Sequence, residues 1–248
     1  MKSVLVNVGI SGGHRGIIFP DRSFVFVPLN SASGKCKLMP LYENLQMTDF
    51  THSKYQDRFE NFSLADLLPS LHGKRAHNDP DFQHRTYGHA KRGFGYETLL
   101  RSLTKKDILL FYATLDYKGV DGEKKERLIN PVWGTYIVGA FSIEGVYGND
   151  EFDELSMKKQ QRFRNNPHYY CKTGAHIWIA GRKKEHGLFR KAVPIGSPKD
   201  NMTCLPLVSR NFRTSGGKPA GSTGWYRAAL ECKKNSESVW KKIKQQYE

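Results

Sequence analysis

The sequence predicts an α+β protein with a mixed, mainly antiparallel, barrel-like β core and peripheral helices. Two apolar runs carry that expectation. Asp107-Ile108-Leu109-Leu110-Phe111-Tyr112-Ala113 reads as a strand buried on both faces, and Trp133 to Phe141, WGTYIVGAF, reads as another. A polar connection, Tyr117 to Arg127, lies between them, so the two should pair as neighbours. The helically spaced Tyr96 to Leu103, ending at Lys105-Lys106, should close one end of the sheet. A chain of 248 residues can bury a large core. We read it as one domain, 1–248, with its barrel-like core at 96–182 and an integrated N-terminal β-region.

Taken in order, Ser3 to Val8 is a short apolar run of the kind found in buried strands. It breaks into a glycine-rich loop, Gly9 to Gly16. No Gly-Lys-Ser/Thr closes that loop and no helical pattern follows it, so it is neither a Walker loop nor a dinucleotide fingerprint. It is a tight turn or a backbone nest for phosphate. IIFPDRSFVFVPL follows, where Phe24 and Phe26 alternate with Ser23, Val25 and Val27 after an aspartate turn, a hairpin signature. Residues 31–60 read as polar and irregular. Ser63 and Asp66 fit the N-cap and third position of a short helix that Pro69 limits.

Asp150, Glu151, Asp153 and Glu154 precede Lys158, Lys159, Arg162 and Arg164, which predicts one helix with acids in its first turn and bases at its end. His176 to Ala180 reads as a strand. Ser215 to Gly224 is a glycine- and serine-rich loop before Trp225-Tyr226-Arg227. The segment from Lys233 predicts an amphipathic helix with Val239, Trp240, Ile243 and Tyr247 on one face.

Lysine and arginine number 39 against 24 acids, a formal charge of +15. Such a field attracts polyanions, and nucleic acid is the leading partner. Between Lys158 and Lys191 there are ten bases and one acid, interleaved with Asn166-Pro167-His168-Tyr169-Tyr170 and the 176–180 strand. Cations beside aromatic rings suit a single-stranded or flipped nucleotide, although a helix end beside a solvated strand edge gives the same composition. Arg15, Lys91, Arg92, Arg162, Arg164, Lys172, Arg182, Arg190 and Arg213 are the candidate DNA contacts.

Cys36, Cys171, Cys204 and Cys232 are too scattered for a zinc knuckle or a C-x-x-C site and read as reduced thiols. No run approaches the ~18 apolar residues a membrane span needs, and the N-terminus lacks a long apolar stretch. Those features point to a cytoplasmic protein away from membranes. A monomer is the simplest state.

The densest chemistry lies between His77 and Glu97, HNDPDFQHRTYGHAKRGFGYE. The Asp79-Pro80 step marks a turn, and loops on a rigid scaffold are where binding and catalysis concentrate. Asp79 and Asp81, with Asn78 and His77 beside them, supply carboxylates, an amide and an imidazole within five residues. Asn166 and His168 form a second polar cluster that could meet the first. Phe82, Tyr87 and Tyr169 are candidate stacking rings. The plainer reading is a turn in which Asp79 accepts backbone hydrogen bonds. His77, Asp79, His84 and His89 match no zinc spacing, so no metal and no cofactor is expected.

Several of these pieces resemble the third type of nucleotide-modification-associated domain, a family tied to systems that make, read or attack modified DNA bases. They are VLVNVGISGGHRGIIFPDRSFVFVPL, DPDFQHRTYGHA, the pair DILLFYA and YIVGAF, and NPHYY leading to HIWIAG, spread over most of residues 1–180. This chain has His89 where the family pattern commonly carries an acid after TYG. The strand pair is also similar to PUA-type barrels, which implies binding of RNA or of modified bases extruded from a duplex.

Together these observations suggest a glycosylase-like enzyme that flips and excises a modified, hypermodified cytosine-type base in phage defence. Base departure needs a carboxylate for the oxocarbenium-like sugar or its water, and an amide or histidine for the leaving base. A non-catalytic reader of modified bases is the alternative. A metal-dependent nuclease is a third, because Asp116 followed by Glu123-Lys124-Lys125 has a D…E-x-K order.

Overall fold

The computed structural model describes residues 1–9, 15–31, 36–52, 56–90, 96–117, 133–171, 175–197, 203–214, 216–221 and 229–248. A large curled sheet, mostly antiparallel, forms a half-barrel, and short helices lie around it. In chain order the strands are β1 (Ser3–Gly9), β2 (Gly16–Ile18), β3 (Phe24–Val25), β4 (Leu29–Asn30), β5 (Ala76–His77), β6 (Thr86–Ala90), β7 (Ile108–Tyr117), β8 (Trp133–Tyr147), β9 (Ala175–Gly181), β10 (Leu188–Gly196) and β11 (Leu230–Cys232). β4 and β5 pair with each other in a separate two-stranded ribbon, and the others make up the large sheet.

The two apolar runs pair as expected. β7 and β8 lie antiparallel from Ile108↔Ser142 to Asp116↔Trp133, and nearly every β7 side chain is buried. β1 runs parallel to β7 on its other edge, with β11 antiparallel beyond it. The strand at β8 continues past Phe141 to Tyr147, and that extra length curls the sheet. Its first part, Thr135 to Gly139, pairs with β10, while Ile143 to Tyr147 pairs with β9, whose far edge takes β6. One strand thus serves two neighbours on one edge, with register shifts in each pairing that bend it. Gly139 lies where the first pairing gives way to the second. A Cβ there would collide with the Phe82 ring and the Gly187 carbonyl oxygen.

The hairpin after the glycine-rich loop forms, with Ile17 opposite Val25. Residues 10–14 of that loop and residues 118–127 of the polar connection fall outside the described residues. So do Ser215, residues 222–224 and Trp225-Tyr226-Arg227. Phe24, Val25, Phe26 and Val27 are all buried and not alternately exposed, because both faces of this stretch are covered; Phe26, for one, meets Phe82 edge-on at 5.3 Å.

The helices are α1 (Leu64–Leu67), α2 (Tyr96–Arg101), α3 (Asn149–Asp153), α4 (Met157–Gln160), α5 (Pro167–Tyr170), α6 (Pro206–Ser209) and α7 (Ser236–Tyr247). Ser63 caps α1 in a reciprocal box with Asp66. Val239, Trp240 and Ile243 bury the apolar face of α7, each contributing about 1.5–3 kcal/mol. Tyr247 stacks on Phe189 at 3.8 Å.

The single helix expected over 150–164 is broken into α3, α4 and a 3-10 turn at Gln161–Phe163. Phe152 and Phe163 explain the break. Eleven residues apart on a straight helix they would be separated by about 16 Å, yet their rings lie 5.2 Å apart around Trp178 in a second apolar cluster. The chain folds back to reach it, and the Gln160 amide donates to the carbonyls of Phe152, Asp153 and Leu155 at the fold.

The cysteine expectation needs correcting for one pair. Cys36 and Cys171 form a disulfide that ties the end of α5 to the N-terminal region, 135 residues away in sequence. Sequence spacing carries no information about such a contact. Cys204 and Cys232 are free and buried. Among the described residues no helix is long and apolar enough to cross a membrane.

Candidate active site

Asp79 lies in the short connection between β5 and β6 and is followed by a cis Asp79–Pro80 peptide bond. Its carboxylate is 4 % exposed. One oxygen, Oδ1, accepts two hydrogen bonds, from the Gly88 backbone N–H at 3.0 Å and from the Asn166 Nδ2 at 2.7 Å. The other, Oδ2, lies 3.7 Å from Nε2 of His168. Burial pushes this carboxyl well above the usual carboxylate range, the two hydrogen bonds oppose that, and the neighbouring Asp81 adds to it.

Asn166 is the residue that joins the two polar clusters. It is fully buried at the N-cap of α5, where its Oδ1 accepts from the His168 backbone N–H at 3.1 Å while its Nδ2 holds Asp79. Both ends of one amide are therefore committed, which fixes its orientation. His168 sits in the first turn of α5, its ring edge-to-face with His77 at 4.8 Å.

Gly88 completes the arrangement from β6. A Cβ at this position would come within 2.8 Å of the His168 ring and 3.0 Å of Asn166 Oδ1, so only glycine lets the strand approach close enough for its N–H to reach Asp79. Residue type does not single out Gly88 as a site residue; a lone glycine inside a strand pattern is the signal that marks it. Tyr170 is a second residue of this kind. Burial first, then the charges of Asp79 and Asp81, push its phenol up to about 12.

The other residues of the 77–97 segment divide between faces. Asp81 turns its carboxylate back on its own loop, accepting from the His84 backbone N–H at 3.0 Å and meeting His84 Nδ1 at 2.8 Å, while its backbone bridges Thr86. Tyr87 and His89 lie on the opposite face of β6 from Gly88: Tyr87 packs on Phe111, and His89 stacks on Tyr96 at 4.3 Å. Phe82 meets Phe26, Phe111 and Phe141 edge-on within the core. Tyr169 packs edge-on against Phe152 and Trp178. His77 and Asn78 are half-buried beside Asp79, with the Asp79 N–H donating to the His77 carbonyl. The structure thus brings His77, Asp79, Asn166 and His168 together and keeps Asp81, Phe82 and Tyr87 out of that group.

The basic residues also separate. Arg162 is a strut: its guanidinium donates to the His84 carbonyl at 2.9 Å, to Glu144 at 2.7 Å and to the Gly181 carbonyl. Arg213 closes the end of α6 through the carbonyls of Ser209, Arg210 and Phe212. Arg15 lies 4.0 Å over the Trp133 ring and 3.8 Å from Asp116, so the first acid of the nuclease-like pattern is paired, while Glu123 to Lys125 lie outside the described residues. Arg164, Arg182 and Arg190 are exposed; Arg182 also bonds Glu185 and the Lys105 carbonyl. Lys91, Arg92 and Lys172 lie outside the described residues.

A cleft of about 420 Å³ opens beside β10, lined by His52, Arg85, His186, Phe189, Arg190, Tyr247 and Glu248 among others, so two arginines face one acidic residue in it. Arg85, in the turn that holds Asp81, reaches into it and donates to the His186 carbonyl at 2.9 Å. Partial desolvation, then the positive charges of Arg190 and Arg85, lower the His52 pKa although this residue is exposed; burial and Lys244 lower that of the half-buried His186 against the opposing effect of Glu185 and Glu248.

A family model described as nucleotide modification associated domain 3 matches residues 2–243, nearly the whole chain. The chain belongs to that family. For this nucleotide modification associated domain 3 protein, the family supports a role with modified nucleotides and an association with nucleic acid. No curated protein and no solved structure matches the chain.

Proposed function

We propose that this protein hydrolyses the N-glycosidic bond of a modified nucleotide in DNA, with Asp79 as the carboxylate at the reacting sugar. The observation that carries the reading is the clamp on Asp79. Two donors from separate elements hold Oδ1, which turns Oδ2 towards His168. A carboxylate oriented in this way suits a general base, since burial raises its basicity and fixed donors remove the cost of ordering it.

In the proposed step Oδ2 takes a proton from a water whose oxygen bonds to C1′ of the sugar. The C1′–N bond breaks as the base leaves with the electron pair and takes up a proton. His168, beside Oδ2, is the candidate donor for it. His77 and Asn78 beside Asp79 are candidates to contact the base, which must leave its stack to reach a carboxylate this deeply buried. Exposed Arg164, Arg182 and Arg190 are the candidate phosphate contacts. Defence against DNA carrying such bases is the setting this activity would serve.

The test incubates the protein with duplexes containing plain or hypermodified cytosine and then treats them with alkali, which converts abasic sites to strand breaks. Breaks with a modified substrate are the expected result. Base-dependent binding without breaks would replace the enzyme by a reader, and magnesium-dependent breaks without alkali would favour a nuclease.

A further inference from the structure

We propose that His77, Asp79 and His168 bind one divalent first-row transition-metal ion. The geometry points to this because each residue offers one ligand atom and those atoms lie within 4.8 Å of one another. Donors about 2.1 Å from an ion stand at most about 4.2 Å apart, and about 3.4 Å apart in tetrahedral geometry. Since His168 Nε2 and Asp79 Oδ2 already lie 3.7 Å apart, the widest pair has to contract by no more than roughly 0.6–1.4 Å.

The donor set selects the class of ion. Two imidazoles and one carboxylate suit zinc, iron and their neighbours, whereas magnesium and calcium favour oxygen ligands. Three protein ligands leave positions open for water, as in catalytic sites. The surroundings are those of a supported ligand set. Gly88 N–H and the Asn166 amide occupy Oδ1 of Asp79 and leave Oδ2 for the ion, and the Asn166 N-cap sets the start of the α5 turn that carries His168.

No spacing rule finds these ligands. His77 and Asp79 are two residues apart, but His168 arrives from α5, and the Asn166–Asp79 contact that brings α5 to Asp79 spans 87 positions.

The proposal rests on the excision reading and deepens it by moving one role: with the ion bound, Oδ2 of Asp79 and the two imidazoles hold it, the ion polarises the attacking water and lowers its pKa, and the leaving base takes its proton from solvent rather than from His168. Binding can be measured without any nucleotide, so the two ideas fail separately. The full chain, stripped with chelator, is titrated with Zn²⁺ alone by calorimetry, and Co²⁺ absorption reports the ligand geometry. We expect one ion per chain, saturable binding lost in His77→Ala and His168→Ala, and affinity weakened about 10–100-fold in Asn166→Ala. His77→Gln and His168→Gln repeat the test with less disturbance to the fold, checked by circular dichroism. His84→Ala, whose ring is held by Asp81, should bind as the wild type does. No stoichiometric ion in the wild type, or equal uptake by the His77 and His168 variants, would overturn the site. Ion binding without excision would leave the site standing and remove the glycosylase reading; excision by a chain that binds no ion would do the reverse.

Discussion

The Asp79 cluster and the cleft beside β10 lie on either side of one turn, residues 81–86, which follows Asp79 and carries Arg85, yet they are built differently. In the Asp79 cluster the polar groups hold one another: Gly88 and Asn166 fix Asp79, and Asn166 is fixed in turn by α5. In the cleft Arg85 and Arg190 outnumber Glu248, and the pKa values of His52 and His186 are lowered by burial and by the neighbouring positive charges, which outweigh the acids beside His186. Strong mutual orientation suits chemistry at a fixed point, whereas accumulated positive charge suits a polyanion whose position can vary. On the proposed function, the cleft is where nucleic acid would be gathered and the Asp79 cluster where it would be changed.

Removing what orders each region should separate the two. The largest effect is expected from Cys171→Ser, which releases the end of α5: stability should fall by about 2–5 kcal/mol in denaturant titrations under non-reducing conditions. An unchanged midpoint would mean that the disulfide does not anchor the helix. Gly88→Ala should come next. Its Cβ would push on His168 and Asn166, and a displacement of that order at a reacting centre costs about 100-fold in rate. DNA affinity should stay level, so a loss of binding with no loss of rate would reverse the roles of the two regions.

Smaller effects should distinguish the arginines. Arg190→Ala should shallow the salt dependence of DNA binding by about one unit, the value for one lost phosphate contact. Arg162→Ala should instead lower stability, because its guanidinium links three carbonyl or carboxylate partners. Equal salt slopes for wild type and Arg190→Ala would remove Arg190 from the binding surface.

The smallest effect concerns pH. His52 and His186 have folded-state pKa values below their ordinary value, so below about pH 6.5 the unfolded chain binds more protons than the folded one. Their contribution to stability is present above that pH and is lost as pH falls through the folded values. Replacing both by glutamine should flatten the fall in stability between about pH 6.5 and 5 relative to wild type. Identical curves would show that the cleft does not hold them neutral.

Much of the frame was legible because it rests on local patterns. The runs at 107–113 and 133–141 announced β7 and β8, Ser63 and Asp66 announced the α1 cap, and Val239, Trp240 and Ile243 announced the buried face of α7. The Asp79 cluster was legible only in its parts. His77, Asp79, Asn166 and His168 stood out by residue type, but their meeting depends on α5 packing against β6, a tertiary contact. The broken helix at 149–163 and the Cys36–Cys171 bond were hidden for the same reason: a ring cluster around Trp178 and a pairing 135 residues apart leave no periodic trace.

The most direct test of Asp79 as the base compares Asp79→Asn with Arg190→Ala in single-turnover excision at saturating protein, on a duplex carrying a modified cytosine and read as alkali-labile breaks. Asparagine keeps an acceptor for Gly88 and Asn166 but cannot take up the proton. The expected rate is about 10²–10⁴-fold below wild type for Asp79→Asn and unchanged for Arg190→Ala. A wild-type rate in Asp79→Asn would contradict the role given to this carboxylate.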